Sequence, residues 1–80
     1  MQYENLKKYI KYRRQQNGLS LNAIAINNDI TPAIISRIEN LKQDIKMNVL
    51  IKIASGFSTT PAQFLLEFEK ENFNMVENKK

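Results

Sequence analysis

The sequence predicts an all-α protein made of a single domain. Only two glycines and two prolines occur among its 80 residues, so few positions interrupt a helix. No stretch alternates apolar and polar residues in the way that a half-buried β-strand does. Hydroxyl residues stand directly before three helix-like runs, where they can cap helix N-termini: Ser20, Thr31 and Thr60. Together these patterns predict five helices and no strand.

The first helix is predicted from residue 3 to residue 16. A packing stripe at the i, i+3, i+4, i+7 spacing is formed by Leu6, Tyr9, Ile10 and Arg13. The positions around the stripe are basic: Lys7, Lys8, Lys11 and Arg14. Asn17-Gly18 should end the helix, because glycine adopts the left-handed conformation that closes a helix C-terminus.

Two short helices joined by a tight turn are predicted between Ser20 and Asn40. The second helix of the chain covers roughly residues 21–27, with Ile24 and Ala25 facing inward. The third covers roughly residues 32–40 and begins with proline, which has no amide hydrogen to lose at a first helical position. The segment between them, residues 26–29, is rich in residues that tolerate turns. Helix, turn and helix in this order form a helix-turn-helix pattern.

The third helix has one buried and one exposed face. At about 100° per residue, Ile35 and Ile38 define the buried direction. Pro32 and Ile34 fall on the two borders of that face. The opposite side carries Ala33, Ser36, Arg37 and Asn40. We therefore expect an exposed face that is small and polar, with one arginine.

The last two helices supply the rest of the core. Helix four, residues 47–55, has the core spacing Val49 or Leu50, Ile53, Ala54 and Phe57, and Gly56 is placed to end it. Helix five, residues 61–72, carries Phe64, Leu65 and Phe68 on one face. Leu66 and Phe73 form a second apolar strip, which favours a dimer contact, or else a tail that folds back over the core. The domain is expected to span residues 1–73, followed by a flexible tail, 74–80.

Composition excludes several classes of function. The chain has no cysteine and no histidine, which rules out disulfides and thiolate zinc sites and removes the commonest general base. No Gly-rich nucleophile turn or phosphate loop accompanies its serines and lysines. We expect no enzyme, no metal, no cofactor and no small-molecule substrate. No signal peptide is recognisable, and no apolar run approaches the ~20 residues of a membrane span, so we expect a cytoplasmic protein.

The basic excess is concentrated near the N-terminus. The formal net charge is +4, and residues 1–16 alone carry five basic side chains against one acidic one. Residues 66–80 carry four acidic side chains against three basic ones. A polyanion such as DNA would be attracted to one side of such a molecule. Two alternatives are a solvated helix face without a ligand and a membrane-surface helix over residues 6–14.

Residues 6–68 resemble the lambda-repressor-like helix-turn-helix family, also called the Cro/repressor or Xre family. The resemblance is carried by Arg14, Gly18-Leu19-Ser20, Ile24-Ala25, the segment 35–40 (ISRIEN), Leu50 with Ile53-Ala54, and Thr60 with Phe64-Leu65. It implies sequence-specific binding of double-stranded DNA by a homodimer, with helix three in the major groove. It also implies a transcription regulator, typically a repressor.

The resemblance assigns roles to individual positions. Base reading falls to Thr31, Pro32, Ala33, Ile34, Ser36 and Arg37. Phosphate contacts fall to the backbone near Ser20 and Leu21, and to Asn40 and Lys42. Arg14 and Glu39 match a pair that ties helix one to the end of helix three, a structural role. A semi-buried Glu39 also requires such a partner on physical grounds.

The chain departs from the family pattern at several positions. Leu41 and Ile45 stand where the family often has glycine and proline, and Asp29 replaces the glycine of the turn. An apolar residue is expected where Asn28 stands, so Ile26 or Ile30 should fill that space instead.

Arg37 is the only strong base-edge donor among the reading positions, and three apolar neighbours could contact thymine methyl groups. The sparse set is also compatible with degenerate specificity, or with a protein-interaction module such as an antitoxin or adaptor. Within the family, the chain looks similar to restriction–modification controller proteins and to small phage or mobile-element repressors.

Overall fold

The computed structural model describes residues 3–71 and contains five helices in that range. They are α1 (Tyr3–Gln16), α2 (Leu21–Ala25), α3 (Pro32–Glu39), α4 (Met47–Gly56) and α5 (Pro61–Lys70). The described part of the chain has no strand, so the all-α prediction and the number of helices are confirmed. Phe73, the predicted tail and the predicted domain ends lie outside the described residues. None of the described helices is long and apolar enough to span a membrane.

The three predicted hydroxyl caps are present. The Oγ of Ser20 accepts a hydrogen bond from the amide of Ala23 at 3.0 Å. Thr31 and Thr60 accept in the same way from the amides of Ile34 and Gln63, at 3.3 Å and 3.1 Å. Each cap satisfies an amide that has no partner inside its own helix, which is why these three residues start α2, α3 and α5 where the sequence predicted.

The turn after α2 corrects two expectations. The helix ends at Ala25, two residues before its predicted end. There the side-chain Nδ2 of Asn28 donates to the carbonyl oxygens of Ile24 at 2.9 Å and Ile26 at 3.0 Å, which the helix leaves without a partner. Asn28 therefore has a polar capping role where an apolar residue was expected. Ile30 packs against the core, whereas Ile26 is 60% exposed and does not fill that space.

Three helices end with the same left-handed closure, and only one uses glycine. Gly18, Leu41 and Ser58 have φ values of 66°, 62° and 62° after α1, α3 and α4. After α3, the amides of Leu41 and Lys42 donate to the carbonyls of Ile38 and Arg37 at 3.0 Å and 2.8 Å, the pattern of a Schellman motif. The predicted left-handed Gly18 is confirmed. Helix α4 ends at Gly56, but its left-handed residue is Ser58.

Ser58→Gly is expected to raise the free energy of unfolding by about 0.5–1 kcal/mol, since Ser58 is left-handed, exposed and buries little apolar surface. A left-handed non-glycine residue costs about 1–2 kcal/mol, and part of that gain is offset by the greater unfolded-state entropy of glycine. The matched change is Gly18→Ala, where an added Cβ meets nothing within 4 Å, so that backbone strain alone should lower stability by about 1 kcal/mol. Urea unfolding measures both. Effects of the same sign in the two variants would contradict this account.

The core lies between the helices and includes two charged side chains, Lys7 and Glu39. Its fully buried members come from all five helices and include Tyr9, Ile24, Ile35, Ile53 and Phe64. Lys7, predicted on the basic outer face of α1, is buried, and its Nζ lies 3.5 Å from Oδ1 of Asp44. The long aliphatic stem of lysine explains this placement, because it packs as an apolar group while its ammonium reaches a carboxylate.

Helix α4 comes close to the backbone of α2 at Gly56. A Cβ added to this residue would lie 2.6 Å from the carbonyl oxygen of Ile24 and 2.7 Å from its Cγ2. Glycine is therefore required at this position for the close approach of two backbones, and not for a left-handed turn.

Arg13 joins α1 to α5. Its Nη1 donates to the Tyr9 hydroxyl and to Oε1 of Glu67, both at 2.8 Å, and the guanidinium lies 5.4 Å from the ring centroids of Phe57 and Phe64. Hydrogen bonds from Gln63 and from Arg13 lower the pKa of the Glu67 carboxyl. The predicted stripe residue Arg13 is thus half-buried and has both ionic and aromatic partners.

The stability contributed by Glu67 is expected to depend on pH. Its folded-state pKa is lowered, so its contribution is complete above the unfolded-state pKa and is lost as the pH falls through the folded-state value. Wild type should be more stable than Glu67→Gln at pH 7, and the difference should shrink at pH values below the ordinary 4.5. Thermal unfolding between pH 7 and pH 3 measures it. Glu69→Gln, an exposed change in the same helix, is the control for removing one negative charge from α5.

Candidate nucleic-acid interface

The burial of three residues fixes which side of α3 faces outward. Ile35 and Ile38 are fully buried, and Glu39 is 7% exposed. Ala25 on α2 is also buried, and its small side chain allows α3 to pack closely against α2. The opposite side of α3 carries Ala33 and Arg37, both exposed. The two faces derived from the helical wheel are confirmed.

All ten residues proposed to contact DNA are accessible. Six are exposed: Ser20, Thr31, Ala33, Arg37, Asn40 and Lys42. Four are half-buried: Leu21, Pro32, Ile34 and Ser36. The border positions predicted for Pro32 and Ile34 agree with this partial burial. The capping hydroxyls of Ser20 and Thr31 already accept hydrogen bonds, but each keeps an O–H group that can donate to a phosphate oxygen.

Three polar side chains on and after α3, Ser36, Arg37 and Asn40, also have hydrogen-bond partners inside the protein. The side-chain Nδ2 of Asn40 donates to the carbonyl oxygen of Ser36 at 2.9 Å and to the Ser36 Oγ at 3.3 Å. Nε of Arg37 donates to Oε1 of Gln43 at 2.8 Å. Sequence reasoning did not identify Gln43, because this residue lies in the loop after α3 and shares no helical periodicity with Arg37. The only feature of the sequence that could have indicated this contact is the position of Gln43 shortly after the end of α3.

Arg14 and Glu39 form a bidentate ion pair beneath the outer face of α3. Nε and Nη2 of Arg14 donate to the two Glu39 carboxylate oxygens at 2.8 Å and 3.0 Å. Nη1 of the same side chain donates to the carbonyl of Leu19 at 3.0 Å. The hydrogen bonds to Glu39 raise the pKa of Arg14. One guanidinium thus connects α1, the residue before the cap of α2 and the end of α3.

Most of the basic side chains of α1 form ion pairs with carboxylates of the same chain. Lys7, Arg13 and Arg14 form ion pairs with Asp44, Glu67 and Glu39. Of the five basic side chains of this helix, only Lys8 and Lys11 are exposed. The N-terminal basic excess is therefore mainly structural, and two exposed cations, Lys8 and Lys11, remain on α1 to attract a polyanion. On and after α3, by contrast, Arg37, Lys42 and Lys46 are all exposed.

The Glu39 carboxylate is buried against Arg14, so it does not oppose the exposed cations of α3. Within residues 3–71, no three acidic side chains come together as a group that could hold a metal ion. The exposed side of α3 thus combines cationic and amide donors with small apolar side chains. Polar donors of this kind bind phosphate oxygens and base edges, and apolar groups contact thymine methyls.

Comparison with protein families gives a match over most of the described chain. The sequence model of a family described as Helix-turn-helix matches residues 10–64. The matched range begins within α1, ends within α5 and contains all ten proposed contact residues together with Arg14 and Glu39. Leu66 and Phe73 lie beyond it. No curated protein and no solved structure matches the chain.

Proposed function

The chain belongs to the lambda-repressor-like helix-turn-helix family of DNA-binding regulators, and from this premise we propose that it regulates transcription as a homodimer on an inverted-repeat operator. The observation that carries the proposal is the orientation of α3. Burial of Ile35, Ile38 and Glu39 fixes this helix with Arg37 outward. An α-helix with its side chains is about 10–12 Å across, which fits the major groove of DNA, about 12 Å wide.

Base reading in this proposal belongs to the outer face of α3. Arg37 supplies the donors that match O6 and N7 of a guanine, and Thr31 and Ser36 supply hydroxyl groups. Pro32, Ala33 and Ile34 are the apolar groups suited to thymine methyls. With a single arginine, most of the sequence preference should come from one base pair in each half-site.

Phosphate contacts belong to the rim of the same surface. Lys42 follows α3 directly and is exposed, and the amide of Asn40 lies at the end of the helix. Ser20 and Leu21 lie at the start of α2, where the capping hydroxyl can donate outward. Such contacts set the register of the protein on the duplex and carry no sequence information themselves.

An inverted-repeat operator has two-fold symmetry, and a homodimer with the same symmetry can bind its two half-sites. Two copies would place their α3 helices in successive major grooves, about 34 Å apart. Leu66, 47% exposed on α5, supports the second apolar strip as the contact between copies, and Phe73 would extend it. An operator that overlaps a promoter would make the protein a repressor. Control by protein concentration needs no ligand domain.

The test separates the reading residue from the phosphate-binding residue. Arg37→Ala should relax the preference at one base position by about 1–3 kcal/mol. Lys42→Ala should weaken binding to all sequences alike and reduce the salt slope by about one unit. Both are measured by electrophoretic shift on the upstream region of the protein's own gene and on single-base variants of it. Sedimentation with and without operator DNA gives the oligomeric state.

A wild type that shows no sequence preference at about 0.15 M salt would contradict the proposal. Loss of preference at several positions in the Lys42→Ala variant would contradict the assigned roles. In the first case, the protein-interaction hypothesis would become the better reading of the α3 surface.

A further inference from the structure

The Arg37 side chain is already held in place in the free protein. Its Nε donates to Oε1 of Gln43 at 2.8 Å. The two residues are six positions apart, and Gln43 lies in the loop between α3 and α4, where it is half-buried. The hydrogen bond therefore depends on the path of the loop and not on the periodicity of the helix.

That loop is anchored on both sides of Gln43. Before it, the amide of Lys42 donates to the carbonyl of Arg37 itself at 2.8 Å, which turns the chain back toward the arginine. After it, Oδ1 of Asp44 lies 3.5 Å from Nζ of the buried Lys7. These contacts position the backbone of Gln43 so that its Oε1 lies within hydrogen-bond distance of Arg37.

The hydrogen bond decides which donors of Arg37 remain available. A guanidinium has five N–H donors, and Gln43 occupies the one on Nε. Within residues 3–71, no side chain is bonded to the four donors on Nη1 and Nη2. Two parallel N–H groups of this kind match the O6 and N7 acceptors of guanine.

We propose that Gln43 is a positioning residue for base recognition, which holds Arg37 by Nε so that its two Nη groups read one guanine. The proposal rests on the DNA-reading role of Arg37 given above. Arginine has many rotamers, and ordering such a side chain on binding reduces affinity. Because Gln43 orders Arg37 in the free protein, it increases discrimination at one base pair without contacting the DNA.

The experiment compares Gln43→Met with Gln43→Glu. Methionine keeps the length of the side chain but removes the strong acceptor, whereas glutamate restores an acceptor. Gln43→Met should reduce the preference for guanine at the position read by Arg37 about 3- to 10-fold. Gln43→Glu should retain that preference while binding all sequences more weakly, since its added negative charge opposes the phosphates. In an Arg37→Ala background, Gln43→Met should have no effect on base preference.

A second readout does not use DNA. In the free wild type, the Nε–H group of Arg37 should exchange with water more slowly than in Gln43→Met, as followed by ¹⁵N NMR. Equal exchange in the two proteins overturns the proposal. A preserved guanine preference in Gln43→Met also overturns it, as does an equal effect of this change in the Arg37→Ala background.

Failure of the proposed function has a different signature. In that case the wild type itself shows no base preference, whatever the exchange rate of Nε–H. Failure of the positioning role alone shows as a wild type and a Gln43→Met variant that discriminate equally well.

Discussion

Replacing Gly56 by alanine is expected to lower the free energy of unfolding by about 2–3 kcal/mol. In an ordinary helix, the same change raises stability by up to about 1 kcal/mol, because alanine is the better helix former. Here the new Cβ would lie 2.6 Å from the carbonyl oxygen of Ile24. Backbone cannot move aside by changing a rotamer, so α2 and α4 must separate and the packing of Ile24 between them is lost.

Urea unfolding with an unchanged m value would measure this loss. Ser55→Ala is the matched control, since Ser55 is the exposed neighbour in the same helical turn and its change should stay within about 0.5 kcal/mol. For a chain of 80 residues, the total free energy of unfolding is about 4–12 kcal/mol, so the loss would be a large fraction. A Gly56→Ala variant as stable as wild type would refute the close approach.

Arg14→Met is expected to cost about 3–5 kcal/mol, because it leaves the Glu39 carboxylate buried without its partner. The side chain of Glu39 is 4% exposed and cannot recover its hydration without moving the end of α3. The carbonyl of Leu19 loses its donor as well. The effect is thus the cost of an uncompensated charge in addition to the loss of one ion pair.

A double-mutant cycle distinguishes these contributions. Glu39→Leu alone should cost less than Arg14→Met, because Arg14 keeps its bond to Leu19 and is 15% exposed. The double variant Arg14→Met/Glu39→Leu should recover most of the stability, as apolar replacement of a buried ion pair often does. Unfolding free energies of the four proteins give the coupling. Additive losses would show that the two side chains do not act as a pair.

The features predicted well from the sequence depend on local chemistry. Ser20, Thr31 and Thr60 start helices because a hydroxyl reaches an amide three residues later, and that distance is set within one turn. Ile35 and Ile38 lie inward because helical periodicity alone places them on one face. The outer face of α3 follows from the same periodicity, and the ten candidate contact residues within the family match stay a prediction.

The features missed depend on contacts between distant segments. Lys7 looks like a surface lysine, and its burial depends on how its aliphatic stem packs in the folded protein, with its ammonium near Asp44. Gly56 has the sequence appearance of a helix terminator, whereas its role depends on how closely α4 approaches Ile24. The bond from Arg37 to Gln43 requires the left-handed Leu41 that turns the loop back, and leucine gives no local signal for that conformation.

The three bonds of Arg14 also bear on how the molecule opens. Its guanidinium spans α1, the segment before α2 and the end of α3, so separating the helix-turn-helix unit from α1 breaks all three hydrogen bonds. We therefore expect opening of α3 to be coupled to loss of its contacts with α1. The outer face proposed to read DNA is then kept in shape by a side chain that lies on the opposite, buried side of the same helix.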